Sequence, residues 1–364
     1  MNKAVYTGFL AVAMLIAALP SHAYYSAIRD LRQEPIPPNP VTVSGRVTSE
    51  SPLRISDGSA EVELSGITAT LSDYLVVTGD WDGSVLTVTG QAKNYVGPAH
   101  VEMVYVPAGS FQMGNSGVGD DALYGAESPQ HQVYLSGYWI GKHEITRGQY
   151  RKFRDSGGYT HQAYWSDDGW YWITNRDWTH YPLFWQAQQN WGDPPGTFTQ
   201  GEDYPISGVC YYEAEAFCKW AGGRLPTEAQ WEKAARWDGI HPRIYPWGDT
   251  WDWEKCNSEA DSLYPGWQTA PVGSYPTDVS PYGCYDMAGN VLEFCSDWMV
   301  WNYYSQTPLG GWIDPQGPTS PDYPPQTVMR GGSWGRWYDQ SRCASRMGVP
   351  RDGYYLDFGF RMAH

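Results

Sequence analysis

The side chains best suited to nucleophilic, redox or soft-metal chemistry are six cysteines, Cys210, Cys218, Cys256, Cys284, Cys295 and Cys343, all in the second half of the chain. They show no metal-ligand spacing. Past the first 23 residues the histidines are His100, His131, His143, His161, His180, His241 and His364, none in an H-x-x-x-E-H arrangement. His131 and His143 could meet across a hairpin as ligands, or serve as hydrogen-bonded surface groups. Ser333 lies in no nucleophile-elbow sequence and has no indicated base. No Gly-x-x-x-x-Gly-Lys run is present to cradle a phosphate. Glu144, Glu228 and Glu232 would be general acids only if paired beside a cleft; helix capping and surface charge are the alternative. What the residues do offer is hard oxygen. Asp286 and Glu293 stand seven positions apart with carbonyls between them, the kind of donor of which calcium takes about six to eight. A helix cap plus a surface salt bridge is the other reading of that pair.

Few regular elements are available to position these groups. Helical periodicity covers Thr146–Asp155, Tyr211–Trp220 and Thr227–Asp238. Thr227 is placed to cap the third helix, with Gln230 at N3 reaching back to the cap amide. Trp231, Ala234 and Ala235 then share a face. Long stretches rich in Gly, Pro, Asn and aromatics surround the helices. Such irregular backbone needs internal hydrogen bonds, cross-links or bound ions. Thr160–Gln200 reads as an insertion whose tryptophans (Trp165, Trp170, Trp172, Trp178, Trp185 and Trp191) follow no helical or strand period. They either pack a large loop onto the domain or line a groove for a sugar or peptide. Trp334, Trp337, Tyr338, Tyr354 and Tyr355 form a second aromatic cluster.

The first 23 residues, with Lys3, an apolar run from Phe9 to Pro20 and Ser21-His22-Ala23, read as an export signal. Residues 24–40, with Pro35, Pro37, Pro38 and Pro40, read as a linker. Residues 41–99 alternate in a strand-like way through Val41, Val43 and Val47, a hairpin about Asp57-Gly58, and two further strands at Tyr74–Gly79 and Ser84–Gly90. About five short strands in so few residues close most economically as a small all-β barrel, which is OB-like in pattern; a small sandwich is the alternative. Against 40 acidic residues the chain has 24 basic ones, 23 without Lys3, and no basic cluster. Nucleic-acid backbone binding is therefore not expected. An even cysteine count in an exported chain favours disulfides. No membrane span is expected once the signal is removed.

Several segments of residues 100–364 together resemble the sulfatase-modifying-factor family, whose best-known members are the formylglycine-generating enzymes. They are Met103–Gly114, His131–Thr146, Tyr204–Val209, Ala216–Glu232, Tyr282–Glu293, Arg330-Gly-Gly-Ser-Trp334 and Gly359-Phe-Arg361. The resemblance implies an irregular α+β domain akin to C-type lectin folds, preceded here by the small barrel. It also implies calcium at the side chains of Asp286 and Glu293 and the carbonyls of Gly289 and Val291. A second calcium would involve Asn257 and Ser258, with Asp261 as a possible contributor, although the loop there is shortened. Cys295 is implied to pair with Cys343, leaving Cys210 with Cys218 and Cys256 with Cys284.

The active enzymes carry two cysteines just after this Gly-Gly-Ser-Trp, and their thiolates bind copper(I). Here the segment from Trp334 to Arg342 contains none, so no copper centre and no catalytic residue are expected. Two functions stay open. One is a noncatalytic, secreted or periplasmic binding or accessory protein for a protein, peptide or glycan, with Ser333, Trp334, Arg336, Trp337, Tyr338, Tyr354 and Tyr355 as its candidate face. The other is an enzyme, oxidoreductase or otherwise metal-dependent, using different residues in the same pocket.

Overall fold

The computed structural model describes residues 24–25, 41–56, 61–65, 74–81, 85–93, 98–115, 117, 125–175, 201–259 and 268–364. The expected signal segment, most of the linker, Asp261, Trp178, Trp185 and Trp191 lie outside the described residues. The chain divides into two compact units, residues 1–96 with 102–105, and residues 97–101 with 106–364.

Six strands are described in the first unit: β1 (Tyr24–Tyr25), β2 (Val41–Glu50), β3 (Leu53–Ser56), β4 (Glu61–Ser65), β5 (Tyr74–Trp81) and β6 (Val85–Lys93). They pair in the order β1–β2–β3–β4–β6–β5, and β2 also pairs antiparallel with β5. The expectation of an OB-like barrel standing ahead of the irregular domain is corrected here. The curled half-barrel lies instead within the second unit, across roughly residues 292–359. The turns 57–60, 66–73 and 82–84, whose form an OB assignment would require, lie outside the described residues. Period-two alternation tells where strands run, not which sheet curls.

After β7 (Met103–Val106), the second unit pairs β8 (Gly109–Met113) antiparallel with β9 (His131–Leu135), followed by β10 (Tyr138–Gly141). The half-barrel is built from β11 (Leu292–Trp298), β13 (Thr327–Arg330), β14 (Arg346–Val349) and β15 (Phe358–Gly359), in the order β14–β13–β11–β15. The remaining strand, β12 (Trp312–Ile313), runs parallel to β9. Four α-helices are found among the described residues of this unit: α1 (Arg147–Asp155), α2 (Asp167–Thr174), α3 (Tyr211–Trp220) and α4 (Glu228–Arg236). The cap read from sequence is formed. Thr227 Oγ1 accepts the Gln230 N–H (3.2 Å), and Gln230 Oε1 accepts the Thr227 N–H (3.1 Å). Sequence reading missed α2, which begins at a Ser166 cap inside the tryptophan-rich insertion. Trp165 and Trp172 there are buried and stack at 6.5 Å, so these two pack the loop.

The core of the second unit is held by ion pairs as well as apolar contact. Arg361 grips Glu293 with two hydrogen bonds of 2.6 Å, and Arg346 grips Glu228 with two of 2.7 Å. Arg342 does the same to Glu127 at 2.8 Å. Glu232, in the middle of α4, receives both Arg330 and Arg236 and accepts the Gly114 N–H. A planar guanidinium fork matches a carboxylate, and neither charge is tolerable alone in the interior. Arg224 donates to the Leu225 carbonyl and Gln230 Oε1.

The expected disulfides are corrected. Cys210, Cys218, Cys256, Cys284, Cys295 and Cys343 are all buried and no disulfide joins any two of them, so Cys295 and Cys343 are not bridged. Burial pushes the thiols of Cys295 and Cys343 upward, and both behave as small apolar core residues. Even count and compartment describe an opportunity for pairing; the ion pairs already supply the cross-links that the loops need.

Thiol titration of the denatured, unreduced protein should count six thiols, and a count of four would restore one bridge. Glu232→Ala should cost about 3–5 kcal/mol in urea unfolding, because it strands two buried guanidiniums; a loss under about 1 kcal/mol would remove the network from its central position.

Candidate functional site

Strand β13 runs into Gly331 and Gly332, whose φ values of +94° and +72° favour glycine. The chain doubles back so tightly that a Cβ on Gly332 would lie 2.7 Å from Ser341 Oγ. This turn sinks Ser333 into the interior. Its hydroxyl donates to Asp357 Oδ2 (2.8 Å), the same oxygen that receives Arg336 Nε–H (3.2 Å). The Gly335 N–H closes the turn onto Ser333 Oγ at 3.3 Å, and the Trp334 N–H reaches the Asn290 carbonyl at 3.0 Å.

The candidate face therefore separates into three parts. Ser333 and Arg336 converge on Asp357, a residue that sequence reasoning did not single out and whose only signal is its place just before Gly359-Phe-Arg361. Trp337 and Tyr338 are exposed, and the Tyr338 ring joins Trp251 and Trp253 at 5.7 and 6.4 Å. Tyr355 is exposed against Phe358, and Tyr354 is half-buried. His143 is stacked on Tyr285, and burial drops its imidazole to about 3. His131 rests against Tyr304 with Nδ1 at the Pro129 carbonyl.

The candidate calcium segment is a knot of buried acids. Asp286 has φ +56° and accepts the Gly273 N–H on Oδ2 (2.7 Å). Burial, the largest cause, raises its carboxyl to about 6. Glu144 accepts Asn290 Nδ2 (2.7 Å) and the Val291 N–H (3.0 Å), and is likewise raised by burial and by Asp286 and Glu293. Asp278 is buried, and burial, then the Asp286 charge, pushes its carboxyl up. Glu293 is differently placed: besides Arg361, it accepts Trp231 Nε1–H (2.7 Å). Gly289, at φ +80°, would put a Cβ 2.2 Å from the Asn257 carbonyl oxygen.

Among the described residues no three His, Cys, Asp or Glu side chains form a group that could hold a metal. Calcium here would thus have to draw on carbonyls. The hard oxygens of Asp286 and Asp278 suit it, and Glu293, which accepts three hydrogen bonds, keeps a lone pair on Oε1 for it. At the second candidate position, Asn257 donates to the Gln268 carbonyl and Asn290 Oδ1, and Ser258 is buried.

Residues 91–364 match the model of the sulfatase-modifying factor enzyme 1-like domain, and the chain belongs to that family. Hercynine oxygenase of Mycolicibacterium thermoresistibile is 38% identical over 227 residues, covering 57% of this chain and 46% of that protein. The formylglycine-generating enzyme of Mus musculus is 30% identical over 294 residues, 73% of this chain and 75% of the enzyme. The chain spans about half the length of the hercynine oxygenases it matches. Among solved structures, PvdO from Pseudomonas aeruginosa aligns with a TM-score of 0.53 and 26% identity over 73% of this chain and 95% of that one. Within this family the present chain lacks the residues for copper-dependent formylglycine generation: no cysteine lies between Trp334 and Arg342, and Cys343 is a single buried thiol. Among the described residues, no helix is long and apolar enough to cross a membrane.

Electrostatics at the start of α4 yield a test. Asp297 Oδ2 accepts the Glu228 N–H (2.8 Å), and burial, then the Glu228 charge, lifts its carboxyl from 3.8 to about 7. The folded protein therefore keeps this proton where the unfolded chain has lost it. The resulting stability is complete below about pH 4 and is lost as pH rises through about 7. Melting temperature should fall from about pH 5 to about pH 8 and fall less steeply in Asp297→Asn; parallel profiles would exclude Asp297 as a source of the slope.

Proposed function

We propose that this chain is an exported, noncatalytic member of its family that acts as a binding or accessory protein. Calcium held by Asp286, Glu293 and the carbonyls of Gly289 and Val291 stabilises its second unit. The observation that carries the reading is the use made of the segment after Trp334. In place of soft thiolates it offers Arg336, Trp337, Tyr338, Asp339, Gln340 and Ser341. The Ser333 proton is directed at a carboxylate that also serves Arg336, so the serine secures the loop instead of attacking a substrate. Ser333, Arg336 and Asp357 hold the turn, and the turn presents Trp337 and Tyr338 to a partner.

Export is supported by the signal-like first 23 residues. The calcium reading is supported by the buried acids around Asp286. A divalent cation would offset their mutual repulsion, that between Asp278 and Asp286 included.

Two measurements test this reading. With copper(I), oxygen, reductant and a Cys-x-Pro-x-Arg peptide, product mass should show no aldehyde, while the peptide's retention on the protein reports a surviving binding face. Copper-dependent turnover would return the chain to the enzymes. For calcium, the melting temperature should be higher in millimolar calcium than in chelator, because a ligand bound to the native state alone stabilises it. Identical curves would remove the ion from the proposal.

A further inference from the structure

Five aromatic rings from two separate segments meet beside the turn, and only one of them was visible as part of a binding face. Trp251 is the centre. Its ring lies 5.2 Å from Tyr245, 5.9 Å from Trp247, 5.6 Å from Trp253 and 5.7 Å from Tyr338. Tyr245 is buried and backs the group, stacked on Trp247 at 5.3 Å. The outer rings face solvent, with Trp253 49% and Tyr338 46% exposed and the neighbouring Trp337 58% exposed. The core does not need them there, since a core ring would be covered. Polar groups are interleaved with the rings. Asp249, Asp252 and Glu254 alternate with Trp247, Trp251 and Trp253, and Lys255 lies 3.9 Å from Asp252 and 5.9 Å from the Trp247 ring centroid.

We infer that Trp247, Trp251, Trp253 and Tyr338, with Trp337 beside them, form a stacking surface for the pyranose rings of a neutral oligosaccharide. This rests on the binding reading above and names its ligand class. The C–H face of a pyranose is apolar and weakly positive, and it complements the negative face of an indole or phenol. Its equatorial hydroxyls are donors for the carboxylates at the edge. The charge decides against other occupants of an aromatic surface. Nucleic-acid strands and sulfated or uronic glycans bring anions, and three interleaved carboxylates against Lys255 repel them. Ring geometry disfavours a quaternary ammonium: a cage needs its centre open, with the cation within about 6 Å of the ring faces. Here the Trp251 ring occupies the centre, in contact with Tyr245, Trp247, Trp253 and Tyr338.

The test titrates the full chain with chitohexaose, cellohexaose and mannohexaose, following tryptophan emission and calorimetric heat. At least one should bind saturably, with Trp253→Ala weakening it about tenfold, equivalent to 1.4 kcal/mol. Tyr338→Ala should act in the same direction. Tyr171→Ala, which removes an exposed ring elsewhere, should bind like the wild type, and unchanged melting of each variant shows that it is folded. Four results would overturn the inference: no saturable binding of any of the three, equal affinity in Trp253→Ala, preference for a heparin hexasaccharide, or self-association blocked by Trp253→Ala. If the Cys-x-Pro-x-Arg peptide is retained while all three glycans fail, the ligand class is wrong and the binding reading stands. If the glycans bind and the peptide does not, the binding reading stands on the sugar alone.

Discussion

Everything in the second unit is arranged around the need to neutralise charge that has been taken out of water. Helix α4 buries Glu228 and Glu232, and strand β11 buries Glu293. Each carboxylate meets an arginine from a segment far away in sequence: Arg346, Arg330 and Arg361, separated from their partners by 118, 98 and 68 positions. A pair of this kind adds little stability relative to well-packed apolar groups, but a half-pair is severely destabilising. The geometry of α4 against the half-barrel is therefore fixed in register as well as in contact.

The same logic explains how so much irregular backbone remains ordered. Asn290 shows it at one point: Nδ2 donates to Glu144, Oδ1 accepts the Ala270 N–H and Asn257 Nδ2, and its carbonyl takes the Trp334 amide. A single residue thus ties the acidic segment, through its side chain, to the turn carrying Ser333, through its backbone. Loops built this way do not need disulfide bridges, which accords with six buried cysteines that form none. The turn is rigid because its donors and acceptors face inward, and the rings beyond it are free to face outward.

Much of the fold was legible where the residues work locally. Thr227 and Gln230 specify a helix start within four positions, and Gly331-Gly332 specifies a backbone that few other residues adopt. Which arginine meets which carboxylate is set by contacts 68 to 118 positions apart, beyond the reach of local pattern. Glu293 was read from its spacing to Asp286, which gave no sign that its carboxylate also meets Arg361 and Trp231. Distance along the chain cannot show which of two charges a carboxylate prefers. Helix α2 was hidden because six tryptophans in an insertion have no amphipathic period, and Asp357 because one acid among 40 is indistinguishable until folded. The Trp247–Trp253 cluster escaped notice for a related reason: its rings become a surface only when Tyr338, 85 or more positions later, is laid beside them.

Residues 360–364 run between β10 and the segment before α4. Gly141 and Ile145 donate to the carbonyls of Met362 and Phe360, and Arg224 and Ala363 exchange both of their backbone bonds. Arg361, 220 positions after Gly141, is thus among the last residues of this unit to leave the ribosome and also one of its most deeply buried charges. Until it arrives, Glu293 and the acids near it have no guanidinium to face, and closing the core around them is unfavourable. Nearly the whole unit must be synthesised before it can collapse.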